Sequence, residues 1–202
     1  MGAPQQTRDQ YLDLLSKPLL EVPWADRFRA VQLMLNVEVS PRYTPGQALD
    51  KGEVIIQPRS TWCNIYVTDF IKLMGVPAPT HWVMQDGSPA AVGKGTEIRA
   101  NGLVDWFEKH GARYGWMSSD ATVAQNAAQR GHLVVVGWKN PKPPSSGHVA
   151  IVLGRDRITQ AGGTNFFQCT VKMGFGDAKP LVYYVQMDRV GSPSPHTGGH
   201  NG

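Results

Sequence analysis

The sequence predicts an α+β protein in which N-terminal helices pack on a C-terminal antiparallel β-sheet. Three observations predict it. Apolar residues recur at helical spacing up to about Arg130, they alternate with period two from Leu133 onward, and glycine or proline punctuates the changes between segments. Taken in order, Tyr11, Leu12, Leu14 and Leu15 predict a short helix broken near Pro18. Pro23 suits a first helical turn, and Trp24, Phe28, Val31, Leu33 and Met34 continue the helix to about Asn36. Residues 40–53, with Pro41, Pro45 and Gly46, read as loop. Ile65, Val67, Phe70, Ile71 and Met74 then predict a helix that stops at Gly75, with Ser60 or Thr61 as its cap and Cys63 in its first turn. A second loop, 77–95, precedes helices over 98–110 and 121–130, closed by Gly111 and Gly131. Strands are expected at 133–138, 149–153, 157–161, 166–172 and 181–187, with a hairpin turn at Gly154–Asp156. The Gly-, Ser-, Pro- and His-rich tail, 191–202, reads as disordered.

Composition narrows the function. At 202 residues, 41% hydrophobic and 18% charged, the chain can bury a core without disulfides or a structural metal. The net charge of +4 is spread thinly, with no block of five like charges, which argues against a nucleic-acid partner. No apolar run approaches the roughly 20 residues of a membrane span. The start, MGAPQQTRDQ, lacks the basic and apolar stretches of an export signal, so synthesis in a cytoplasm is expected. Two cysteines cannot build a disulfide framework, and neither HExxH nor paired CxxC occurs, so no metal or other cofactor is expected.

The chemistry to be read is that of a thiol. A cysteine becomes a strong nucleophile only as thiolate, which a helix N-terminus favours, and Cys63 is placed there. It needs a base, and the base needs a partner that fixes its tautomer. His148 opens a predicted strand, and Gln160 lies on the strand across the hairpin, where its amide oxygen could accept from the imidazole. A buried, inert cysteine and a solvated histidine would carry the same spacing. Trp62, Trp82 and Trp138 flank these positions as candidate groove walls, and Asn64 is a candidate substrate contact or structural cap.

The strings around these residues add a resemblance. Cys63-Asn-Ile-Tyr-Val-Thr-Asp-Phe resembles the nucleophile helix of papain-like cell-wall cysteine hydrolases of the NlpC-type and CHAP families, and Gly147-His-Val-Ala-Ile-Val-Leu-Gly resembles the strand that carries their histidine. The resemblance spans roughly residues 57–172. It implies a papain-like domain over 51–190 preceded by a helical extension over 1–50, and a catalytic triad of Cys63, His148 and Gln160. Asn165 is the alternative third residue, and Gln57 stands where papain-type enzymes put an oxyanion donor. It also implies a stem-peptide endopeptidase or amidase acting on bacterial peptidoglycan as a monomer. Such a chain would be delivered by phage lysis, a phage tail or a secretion system, and could meet an immunity or secretion partner. The 85 residues between Cys63 and His148 exceed the spacing of compact members and imply a helical insertion. The same residues would serve a deamidase or acyltransferase on protein amides, and a dead site would leave a wall-binding module.

Overall fold

The fold is built around a sheet whose side chains alternate between two apolar layers. In a computed structural model, residues 21–188 are described except 51–52, 59, 78, 80, 92 and 143–145, so the helix expected at Tyr11–Leu15 and the tail 191–202 lie outside the described residues. The elements in chain order are α1 (Trp24–Leu35), a 3₁₀ turn (Pro41–Tyr43), β1 (Gln47–Asp50), β2 (Glu53–Ile56), α2 (Cys63–Leu73), β3 (Trp82–Val83), β4 (Thr96–Glu97) and α3 (Ala100–His110). After a second 3₁₀ turn (Gly111–Tyr114) come β5 (Trp116–Ser119), α4 (Ala121–Gln129), β6 (Val134–Trp138), β7 (His148–Gly154), β8 (Arg157–Gln160), β9 (Phe166–Thr170), α5 (Val171–Phe175) and β10 (Val182–Gln186). The main sheet has the order β5-β10-β6-β7-β8-β9, and all its pairings are antiparallel.

Period two decides which side chains meet which helices. Val135, Val149, Ile151 and Tyr184 point into a layer shared with Val31 of α1, Tyr66 and Phe70 of α2, and Leu103 and Phe107 of α3. Val134, Val136, Ala150, Val152 and Val185 point the other way, toward Ala124 and Ala127 of α4 and Phe175 of α5. The chain is therefore α+β with an antiparallel sheet, but helices cover both faces of that sheet. The later helices pack on the side away from the N-terminal ones.

Several sequence expectations change at the element level. The loop expected over 40–53 contains β1 and part of β2, a hairpin registered Gln47↔Ile56 to Asp50↔Glu53. Trp116–Ser119 forms the edge strand β5 on β10. The strand expected over 166–172 ends at Thr170, because the Thr170 hydroxyl accepts from Met173 N–H at 3.1 Å and caps α5 instead. The β7–β8 turn falls where expected, with Arg155 and Asp156 both at positive φ (52° and 56°), the twist that a two-residue hairpin needs. Between α2 and His148 the chain forms β3, β4, α3, β5, α4 and β6.

The described residues N-terminal to β1 share the main core rather than forming a separate layer. Val31, Val37 and Tyr43 are buried in it, and Phe28 packs on Phe70 with ring centroids 4.9 Å apart. They also blunt the free edge of β9: Phe167 N–H donates to Glu38 Oε1 at 2.9 Å, and Gln32 Nε2 donates to Phe167 O at 3.1 Å.

Candidate active site

Helix α2 is held at its first turn from three sides. Trp62 Nε1 donates to Thr44 O at 2.9 Å, Asn64 Nδ2 donates to Ile98 O at 2.9 Å, and the Tyr66 and Thr159 hydroxyls meet at 2.7 Å. Trp62 occupies the cap position without a side-chain cap bond, so the expected capping by Ser60 or Thr61 is not what starts this helix. The bonds to Thr44, Ile98 and Thr159 fix its entry instead, and they make Trp62 and Asn64 anchors rather than free substrate contacts.

This anchoring sets Cys63, the first residue of α2, against the start of β7. The Cys63 thiol hydrogen-bonds His148 and also receives the backbone N–H groups of Val149 and Asn64. His148 Nε2 lies 2.8 Å from Gln160 Oε1, which leaves Nδ1 as the ring nitrogen for the sulfur. The orientation of the Gln160 amide follows from its other end, because Nε2 donates to Thr164 O at 3.2 Å and so turns Oε1 toward the imidazole. Cys63 and Gln160 are each 3% exposed. Of the residues expected from sequence to converge, Cys63 meets His148 and His148 meets Gln160.

Thiol and imidazole shift each other toward their charged forms. Burial alone pushes the Cys63 thiol up, but the hydrogen bond and charge of His148, with the Val149 and Asn64 N–H groups, outweigh it and hold the thiol below its ordinary value. Burial alone would lower the His148 imidazole. The hydrogen bond and charge of Cys63, helped by Gln160, raise it above its ordinary value against the opposing charge of Lys179. Cys169 is the contrast: burial pushes its thiol up to about 11, opposed only by the charge of Arg157. The two thiols are shifted in opposite directions, Cys63 down and Cys169 up.

Two expected residues stand elsewhere. Asn165 does not reach the imidazole. Its Oδ1 accepts from Gly162 N–H at 3.1 Å and its Nδ2 donates to Val37 O and Tyr43 O at 2.9 and 2.8 Å, so its amide staples the β8–β9 loop to the N-terminal segment. Gln57 is exposed beyond β2, its carbonyl accepting from Ser60 N–H and Oγ at 3.1 and 2.6 Å. No hydrogen bond among the described residues ties its side chain to the pair. Trp82 sits half-buried on the β3–β4 ribbon, edge-on to His81, while Trp138 is the direct cross-strand partner of His148. By helix geometry, the Cys63 N–H has no intrahelical acceptor.

No protein-family model matches the chain, and no curated protein matches it. The site is therefore read from its own chemistry. Two surface cavities, one of about 430 Å³ lined in part by Phe107, Trp116 and Tyr184 and one beside Met84 and Ser88, do not include the pair. Among the described residues no group of His, Cys, Asp or Glu could hold a metal ion. No helix among them is long and apolar enough to cross a membrane.

Supporting residues that spacing did not single out surround the triad. Phe175 packs on the His148 ring with centroids 4.8 Å apart. Gly174 lies so close to Gln160 that a Cβ there would run into Oε1 and stand 2.5 Å from Ile158 Cδ1. Gly174→Ala is therefore expected to push the amide off the imidazole. The His148 titration midpoint should move down in an NMR titration, and urea unfolding should show a loss of about 1–3 kcal/mol. An unmoved midpoint would mean that Gln160 contributes nothing to the charge on His148.

Proposed function

We propose that the protein is a papain-like cysteine hydrolase that cleaves an amide bond in bacterial peptidoglycan, as a stem-peptide endopeptidase or amidase. The observation that carries the hydrolase reading is the contact of a pKa-lowered Cys63 with a His148 oriented by Gln160. The peptidoglycan part rests on the resemblance of the Cys63 and His148 strings to cell-wall hydrolases and on the mild positive charge of the chain.

The chemistry follows from the geometry. The Cys63 thiolate attacks the amide carbon, forming the C–S bond, and the carbonyl oxygen takes negative charge beside the Cys63 N–H. His148 gives its proton to the leaving nitrogen as the C–N bond breaks, which leaves a thioester and a neutral imidazole. Water then attacks the thioester and passes a proton to His148. The C–S bond breaks, the acid departs, and thiolate and imidazolium are restored. An amine in place of water would make the same intermediate an acyltransferase, and a side-chain amide as substrate would make it a deamidase.

Incubation of purified sacculi with the protein is expected to release new amino termini and soluble fragments, read by mass spectrometry. Protein pre-treated with a thiol-blocking reagent should release none. No release from sacculi, with deamidated or trimmed proteins appearing in a treated lysate, would move the activity to protein amides. An unreactive thiol with retained binding to sacculi would replace hydrolysis by wall binding.

A further inference from the structure

The aromatic wall beside His148 carries a cation that the steps above do not use. Trp138 and His148 are directly paired between β6 and β7, so their side chains share a face. Lys179 Nζ stands 4.1 Å from the centre of the Trp138 ring, and its charge bears on the imidazole. Two other lysines differ in being ion-paired: Lys172 with Asp177 at 3.0 Å, and Lys139 with Asp105 at 2.5 Å and Glu108 at 3.5 Å. Lys179 is exposed and has no carboxylate partner among the described residues. The imidazole is thus flanked by an indole carrying an unneutralised ammonium and by the Phe175 ring.

We propose that Trp138 and Lys179 form a carboxylate-recognising subsite for the leaving half of the substrate. The inference rests on the cysteine-hydrolase reading, because that reading decides which half lies here. His148 protonates the departing nitrogen, so groups on its side of the sulfur face the amine product and not the acyl group. A substrate whose released amine bears a carboxylate near the nitrogen places that anion beside Lys179 and its carbon frame along the indole. A neutral leaving amine leaves the ammonium without a partner.

Alkylation of Cys63 tests this with no knowledge of the natural substrate. Iodoacetate and iodoacetamide form the same C–S bond with loss of iodide and differ in bearing a carboxylate or a neutral amide. The ratio of their rates on the intact protein is expected to fall about three- to fivefold in Lys179→Met and further in Lys179→Glu, with the differences collapsing in about 1 M salt. Because the imidazolium is common to all three proteins, its own preference for the anion cancels. An unchanged ratio in both variants would overturn the subsite and leave the hydrolase reading standing. Failure of either reagent to modify Cys63 at neutral pH would overturn both. Peptides that differ only in a free or amidated carboxyl on the leaving residue should show the same preference, lost in Lys179→Met.

Discussion

His148→Ala should sharply lower both the reactivity of Cys63 at neutral pH and the proposed hydrolysis. In this variant the thiol keeps the burial that raises its pKa and loses the hydrogen bond and positive charge that lower it, retaining only the N–H groups of Val149 and Asn64. The direction of the pH dependence follows. In the wild type, the lowered thiol is deprotonated below the ordinary thiol range of roughly 8.5, and its reactivity is lost as pH falls through that lowered value. The raised imidazole keeps its proton past its ordinary value of roughly 6.5 and loses it as pH rises further. Hydrolysis is therefore expected to follow a bell whose acid limb is thiol protonation and whose alkaline limb is loss of the proton the leaving amine needs, with both apparent values belonging to the pair. His148→Ala should abolish the alkaline limb, move the alkylation midpoint upward, and lower hydrolysis by about 10²–10⁴. Stopped-flow alkylation with iodoacetamide across pH 4–10 reads the midpoint directly. A midpoint unchanged by the substitution would mean that the imidazole does not hold the thiolate, and the proposed chemistry would go with it.

The parts of this site legible in the sequence lie at element boundaries. Cys63 is marked by the onset of a helical period and His148 by the onset of a strand period, so local pattern alone places each at the end of an element. Gln160 is only half legible, because the hairpin puts it on the right strand but a bulge decides its face. With regular pairing, a tight turn at Arg155–Asp156 would set Gln160 opposite Ile151, on the face away from His148. The register shift between Val152 and Gly154 sets Ile151 opposite Thr159 instead, which puts Gln160 diagonal to His148 on the same face, within reach of a long amide. Asn165 lies beyond a further register shift after Ile158, and its amide is taken by Val37 and Tyr43, carbonyls more than a hundred residues away in the chain. No local window contains such a partner. The missed strands are those with little or no buried face: all of Glu53–Ile56 is exposed, and only Trp116 of β5 is buried, so burial wrote no alternation into either. The helices on both faces were illegible for a related reason. Ala124 and Ala127 mark α4 as amphipathic, but nothing local says which side of the sheet it will cover.

A single methyl group at Gly147 should both destabilise the protein and disable the site. A Cβ on Gly147 would run into the carbonyl oxygen of Trp138 and stand 2.5 Å from Asn101 Oδ1. The first obstacle is backbone and cannot rotate away. The second is already committed, since Asn101 Oδ1 accepts from Gly147 N–H at 2.8 Å and Asn140 N–H at 2.9 Å, while its Nδ2 donates to Asn140 O at 2.9 Å. One amide of α3 thus grips both ends of the connection between β6 and β7, and the next residue is His148. With no room for the methyl, Gly147→Ala must draw the start of β7 away from β6 at the Trp138–His148 pair or break the Asn101 staple. Either route shifts the imidazole relative to a sulfur whose own position α2 fixes separately. The expected results are a stability loss of about 1–3 kcal/mol in urea unfolding and a fall in hydrolysis of about 10², the penalty for misplacing a reacting group by about 1 Å. Asn101→Ala separates the causes, because it releases the loop without adding bulk. It should leave β6 and β7 paired, and its loss of activity should be smaller than that of Gly147→Ala. If Gly147→Ala melts like wild type and keeps the wild-type alkylation profile, the strand start tolerates displacement. The precision of the Cys63–His148 contact would then have to come from α2 alone.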